Sequence, residues 1–417
     1  MTGDRVRFNT KPIAAVITAA ALVTAGVFAF VLLKENYFFR SEPRLVKQQI
    51  NLEKKALSDR QPLTTELCRE QLGSSAQKQA YATIAENVFD TTGERFSVYG
   101  ADKNDFQMAL NAFLVDHPEV FWVDASSGYK YYEYDSSLLI ELNYLQTGSE
   151  LESAVEKLNA AVDKAAKGAP DNASDYEVEL YLNDYIAEHC DYDAKGDMKH
   201  NAYGALADGK AVCDGYSHAF QLLCKRLGIE CTVIEGTSDF NRDGEDGHMW
   251  NCISLGGEWY HTDVTWNDVK DASCEAEHYF YLNLTTKEIE RDHVISGSFE
   301  SRFQNRGNVF NIYVPACDSD ALNYMRLNFV NIKNPDDDDE PLAALIDAAK
   351  NKQSYCAFRI DDSCDFKAVS KKIINDYAAS WVRGANHFVG GSLKIADGGK
   401  VFTYEKKRVL AIQLNYE

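Results

Sequence analysis

Hydrophobic and polar positions along this chain follow two periods, and the switches between them mark out the elements. In "SSAQKQAYATIAENVFD", Ala80, Ile84 and Val88 recur every four residues and predict a helix with one buried stripe. "DHPEVFWVD" and "YKYYEYDSSLLIELNYL" follow, the second rich in the aromatic and branched residues that favour strands. "ELESAVEKLNAAVDKAAKGAP" returns to helical spacing and is closed by Gly168 and Pro170, ordinary stop signals. A helix over "DYEVELYLNDYIAEHC" leads through a loop to "VCDGYSHAFQLLCKRLGI". There Ala219, Leu222, Leu223 and Leu227 share a face, and Gly228 ends the helix. "ECTVIEG" reads as a strand. "HMWNCISL" and "EWYHTDVTW", separated by Gly256-Gly257, carry a strong two-residue hairpin signal. Strand and helix patterns alternate again beyond about residue 296, so the fold class is α+β.

The N-terminal end differs. Ile13 to Leu33 form one uncharged apolar run that matches the ~20 residues needed to cross a bilayer as a helix. It exceeds the roughly 7–15 residues of a signal-peptide core, so a retained single-pass anchor is expected. Lys and Arg flank both ends, and charge does not settle orientation. The short tail before the run and the large part after it suit placing that larger part outside the cell membrane. "RLVKQQINLEKKALSDRQP" reads as a polar helical stalk ending near Pro62. The expected organisation is a basic tail (1–12), the anchor (13–33), the stalk (34–62), an N-terminal α+β region (63–171), a domain holding the cysteine-bearing helix and the hairpin (172–295) and a C-terminal α+β domain (296–417). "EYDSSLLIELNY" resembles "YEKKRVLAIQLNY" at the C-terminus, through either two related lobes or chance likeness of amphipathic strands.

Charge narrows the partners. With 43 basic and 64 acidic residues the chain carries −21, which argues against nucleic acid. "NPDDDDEP" reads as an exposed acidic loop. Ten cysteines occur with no CxxC pair, so neither a structural zinc site nor a cofactor is expected. If Cys213 stays a thiol, at least one more cysteine is unpaired, and Cys224 within its helix reads as a small buried hydrophobe. "DFNRDGEDGH" places Asp239, Asn241 and Asp243 as in the first half of a calcium loop. Its twelfth position is Trp250 instead of a bidentate Glu, so an acidic hairpin loop is the better reading.

The chemistry concentrates at three residues. Cys213 falls at the start of a helix, where outward-pointing N–H groups and the helix dipole favour an anionic sulfur, and Gly215 permits close approach of a neighbour. If Gly256-Gly257 form the hairpin turn, His248 faces Thr265 and Asp263 faces Trp250. His248 and Asp263 are then diagonal neighbours on one face, ~7–8 Å apart at the backbone, within reach of a side-chain hydrogen bond. Such a bond would fix the imidazole tautomer and leave the other nitrogen to Cys213. Each residue alone reads as structural, but together they match nucleophile, base and orienting acid.

"GKAVCDGYSHAFQLLCKRLGI", "GHMWNCISLGGEWYHTDVTWND" and the strand between them resemble the transglutaminase-like superfamily of papain-type thiol enzymes, with VCxGY, HxWN and DxTW elements in order over roughly residues 175–285. The resemblance implies a helix carrying the cysteine packed on an antiparallel sheet. It also implies Cys213 as nucleophile, His248 as general base and then acid, Asp263 as orienter, and an acyl-enzyme thioester on a peptide or protein amide. The Cys213 backbone N–H is one oxyanion donor by position; Tyr192 is the first candidate for a second, and Tyr203 the next. Trp250, Trp259, Trp266 and Tyr216 are candidates to wall a substrate groove. The expected function is a membrane-anchored protease, amidase or transglutaminase, with water the default acceptor. The alternative is a catalytically idle module that binds cell-surface or wall ligands.

Overall fold

The computed structural model describes residues 6–7, 51–89, 94–124, 128–239, 247–296, 311–334, 336–389, 394–396 and 398–417. Among them no helix is long and apolar enough to cross a membrane; the apolar run at 13–33 lies outside the described residues. The chain forms two compact units, one of residues 50–269 with 281–323, the other of 1–49, 270–280 and 324–417. The division expected near residue 172 does not separate these units, because residues 63–171 share one continuous core with the cysteine-bearing helix.

The first unit begins with a strap rather than the expected stalk. Lys54–Lys55 pair as a short strand with Ala173–Ser174. Arg60, 5% exposed, donates to Asp175 at 2.7 Å and to the Ala173 carbonyl at 2.8 Å. A buried guanidinium with these acceptors fixes the segment against the unit, so the charges that suggested a solvated stalk serve as docking groups. Helices Ser75–Val88 and Lys103–Asp116 follow, each opened by a capping box, at Ser74/Gln77 and Asp102/Asp105. Ala80, Ile84 and Val88 are fully buried, as the period of four predicted. Phe96–Tyr99, Ser137–Leu142 and Tyr129–Tyr134 form a three-stranded antiparallel sheet with Ser137–Leu142 central.

Helices Gly148–Gly168, Asp175–His189 and Cys213–Arg226 come next. They accompany a four-stranded antiparallel sheet ordered Glu258–Thr262, Gly247–Leu255, Cys231–Ser238, His293–Ile295. Gly256 and Gly257 have φ of +62° and +87°, the left-handed pair that a two-residue hairpin turn requires. The helix Cys213–Arg226 packs on the central strand Gly247–Leu255, the arrangement expected of the catalytic core. The fold is α+β, with helices and antiparallel sheets.

The second unit holds a sheet ordered Val6–Arg7, Lys400–Tyr404, Val409–Gln413, Tyr355–Ile360, Val330–Ile332, in which only the last pair is parallel. Helices Asp339–Lys350 and Ala378–Val389 bury Leu345 and Trp381 with Phe358 and Ile412 of this sheet. The acidic stretch 334–341 is only partly a loop. Asp339, Glu340 and Pro341 form the first turn of a helix, where acidic side chains suit the dipole. Both resembling segments are outgoing arms of β-hairpins, Ser137–Leu142 in the first unit and Val409–Gln413 in the second.

Candidate active site

Cys213 is the first residue of its helix, preceded by Val212 in extended conformation, and it is half-buried. A Cβ on Gly215 would lie 2.5 Å from the Lys199 carbonyl oxygen and 2.6 Å from the Ala211 Cβ, so glycine lets this first turn press against the preceding loop. The Ser217 hydroxyl sits 2.8 Å from the Cys213 carbonyl and 2.9 Å from that of Met249. Asn251 donates to the Ser217 carbonyl at 3.0 Å. These bonds tie the helix of Cys213 to the strand that carries His248.

The hairpin register runs from Leu255↔Glu258 to Asn251↔Thr262, as the turn predicted. Pairing then stops. Asp263 caps a short helical turn, Val264–Asn267, with Oδ1 accepting from the Trp266 N–H at 3.1 Å. The expected oppositions of His248 with Thr265 and of Trp250 with Asp263 are therefore not formed, because the chain leaves the sheet at the cap. The expected side-chain contact is present: His248 Nε2 donates to Asp263 Oδ2 at 2.7 Å.

A second histidine, which sequence reasoning missed, meets the same oxygen. His293 Nε2 lies 3.1 Å from Asp263 Oδ2, and its Nδ1 lies 2.7 Å from Asp292 Oδ1. Tyr281 donates to the other Asp292 oxygen at 2.9 Å. The only signal in the sequence was "RDHV", an Asp-His pair opening a short strand some 30 residues beyond Asp263. Burial opposes charge on His248, but Asp263 and a hydrogen bond with Cys213 outweigh it and push its pKa up to about 9. Burial likewise opposes charge on His293, which its bonds to Asp263 and Asp292 raise above the ordinary value. Burial alone would raise Asp263; His248 and His293 together hold its carboxyl well below the usual range. With Nε2 on Asp263, the remaining His248 nitrogen, Nδ1, is left to the Cys213 sulfur.

The aromatic candidates divide. Trp250 and Tyr216 are fully buried and cannot line a groove. Trp250 is a floor beneath His248, stacked with ring centroids 5.8 Å apart. Tyr216 directs its hydroxyl at Asp268 (2.8 Å) and the Cys190 carbonyl (2.9 Å). Trp259 packs edge-on against Tyr313 near the turn end of the hairpin, away from His248. Trp266 is partly exposed and lies 5.8 Å from the His248 ring and 4.6 Å from that of His293. Tyr203 is buried, its ring stacked on Phe121 with centroids 4.8 Å apart. Tyr192 is 57% exposed and pairs in register with Ala211, two residues before Cys213. All ten cysteines are free thiols, and Cys224 is fully buried. Of the weak calcium candidates Asp239 is described, whereas Asn241 and Asp243 lie outside the described residues.

Residues 162–264 match the model of the Transglutaminase-like superfamily. That segment contains Cys213, His248 and Asp263 and stops short of Asp292 and His293. Kyphoscoliosis peptidase of Mus musculus is 29% identical over 94 residues, covering 20% of this chain and 14% of that protein. The Homo sapiens protein of the same name is 31% identical over 94 residues with the same coverage, so this chain spans 14% of the length of these relatives. Among solved structures, a proposed cysteine protease from Cytophaga hutchinsonii aligns at 16% identity and TM-score 0.23, over 34% of this chain and 62% of that one. A structure described as a TGase aligns at 14% identity and TM-score 0.25, over 43% and 52%. The match to the Transglutaminase-like superfamily thus falls on the segment 162–264 of an α+β fold.

Proposed function

We propose that this core is a thiol acyl-transfer enzyme acting on peptide or protein amides, with Cys213 as nucleophile, His248 as proton carrier and Asp263 as orienter. The observation that carries the reading is the 2.7 Å bond from His248 Nε2 to a buried Asp263, which leaves Nδ1 for a sulfur at a helix start. Attack of the Cys213 sulfur on an amide carbonyl forms the C–S bond and an oxyanion facing the Cys213 N–H. Protonated His248 gives its Nδ1 proton to the leaving nitrogen, the C–N bond breaks, and a thioester remains. Water or an amine then attacks the thioester while His248 takes up its proton, and the thiol is regenerated. Water gives proteolysis or deamidation, and a primary amine gives amide transfer. Hydrolysis is the proposed course, since water is the default acceptor at a partly exposed sulfur.

The proposed setting is the cell membrane, anchored through residues 13–33 with the catalytic part outside, an arrangement that requires Val6–Arg7 to leave the sheet edge beside Lys400–Tyr404; shaving of intact cells with protease should digest an outward domain. For the chemistry, iodoacetamide should alkylate Cys213 well ahead of Cys364, the other partly exposed thiol, and His248→Ala should abolish that lead. Equal rates at both would reject the catalytic reading in favour of an idle binding module. Trapping a peptide library on the wild type, then releasing it with and without added amine, separates hydrolysis from transfer.

A further inference from the structure

We propose that Cys252, His261 and Cys317 form a second site in this chain, a buried site for a thiophilic metal ion, Zn²⁺ or Cu⁺. The sequence offers no metal motif there because the three residues come from separate places. Cys252 and His261 face each other across the hairpin, and Cys317 arrives from an irregular segment whose Cys317 carbonyl accepts from the Thr286 N–H at 2.8 Å. All three side chains are fully buried.

Their spacing is that of ligands. Cys252 Sγ lies 3.2 Å from His261 Nδ1 and 3.7 Å from Cys317 Sγ, and all three donor atoms fall within 4.8 Å of one another. A tetrahedral ion with bonds of ~2.3 Å to sulfur and ~2.05 Å to nitrogen has edges of about 3.8 Å between sulfurs and about 3.5 Å between sulfur and nitrogen. Two thiols and one imidazole are a soft donor set, which selects zinc or copper(I) over magnesium or calcium.

The imidazole is also in the required tautomer. Trp250 Nε1–H donates to His261 Nδ1 at 3.1 Å, so Nδ1 is the unprotonated nitrogen, the one able to bind an ion once it releases Trp250. His261 Nε2 lies 3.3 Å from the Thr286 hydroxyl, the outward hydrogen bond that metal-binding histidines usually make. An ion would take the Nδ1 lone pair that Trp250 now uses, and uptake should release thiol protons, since sulfur binds a metal as thiolate.

The test uses the full chain carrying Cys213→Ser, so that the exposed thiol cannot compete. After reduction and desalting it is titrated with Co²⁺ as a spectroscopic probe, then separately with Zn²⁺ and Cu⁺ against chelators of known affinity. One equivalent should bind, with a thiolate-to-cobalt charge-transfer band and a raised thermal midpoint. Cys252→Ser and Cys317→Ser should each abolish the band, Cys356→Ser should keep it, and Trp250→Phe should bind at least as tightly. The competition arms decide between zinc and copper(I). X-ray absorption of the zinc-loaded parent, which needs no ligand variant to fold, should count two sulfur neighbours. A shell without sulfur, uptake unchanged in both serine variants, or thiol counting that finds a Cys252–Cys317 disulfide instead would each overturn the proposal.

Discussion

His293 Nε2 lies 3.1 Å from Asp263 Oδ2, the same oxygen that His248 Nε2 reaches at 2.7 Å. The other oxygen, Oδ1, holds the Trp266 N–H. The carboxylate is therefore restrained at both ends, and it cannot turn without releasing a histidine or a helix cap. In a fully buried position such a restraint fixes the plane of the His248 ring, which the proposed chemistry requires to keep Nδ1 facing Cys213.

His293 is accordingly expected to position Asp263 rather than touch substrate. Loss of one charge-assisted hydrogen bond should cost on the order of tenfold in kcat for His293→Gln, with KM little changed. The pH profile gives a readout that mere packing would not move. His293 stands 5.2 Å from His248, ring to ring, and shares Asp263 Oδ2 with it. Removing the shared bond leaves that carboxylate oxygen to His248 alone, which should raise the alkaline limb of kcat/KM above the value near 9 expected from His248. An unmoved limb would mean that His293 serves only the core.

Asp263 has two separable tasks, one per oxygen. Asp263→Asn can keep the cap to Trp266 through its amide oxygen but loses the charge that sets the His248 tautomer. Its stability should fall modestly while kcat drops by about 10³–10⁴. Asp263→Ala loses both, so its unfolding midpoint in urea should fall further, by about 1 kcal/mol for the cap alone. Identical urea midpoints for the two variants would remove the capping role.

Much of this site is legible in the sequence. The helix of Cys213 declared itself through Ala219, Leu222, Leu223 and Leu227, and Gly256-Gly257 set a register that holds for five pairs. Parity could not see that Asp263 ends the strand, because a capping aspartate and a strand aspartate look alike in one dimension. His293 was hidden for another reason: its partner is 30 positions away, and no short-range pattern reports such a pairing. Tyr216 and Trp250 misled because an aromatic beside a nucleophile or base fits a groove wall and a core residue equally well. Arg60 misled because a charge reads as solvated until its buried acceptors are known.

Gly236 links sheet geometry to the site. It pairs with His248 on one side and Ile295 on the other. A Cβ there would fall 2.1 Å from the Val294 carbonyl oxygen and 2.6 Å from the Trp250 ring. The backbone oxygen cannot yield without breaking the edge strand that begins with His293. Gly236→Ala should therefore destabilise by roughly 1–3 kcal/mol and lower kcat as well, since Trp250 lies beneath His248. Urea unfolding and turnover measured together check this. Full stability with full activity would show that the strand shifts freely.

Glu179 is a buried carboxyl that the chemistry does not use. It accepts from Thr262 at 2.8 Å and from Asn283 at 2.6 Å, bracing the residue before Asp263. Burial outweighs both bonds and pushes its pKa up to about 7. A folded-state pKa above the unfolded value, near 4.3, means that the folded protein binds more proton between the two. The stability this group confers at low pH is then lost as pH rises through about 7. Glu179→Gln keeps the shape and one acceptor oxygen beside a donor group, as the protonated acid does, without charging. The variant should match the wild type near pH 4.5 and exceed it by roughly 3 kcal/mol at pH 8, the whole difference opening between those values. Paired urea titrations across that range measure it. A difference that stays flat with pH would show that Glu179 is already ionised in the folded protein at the acid end.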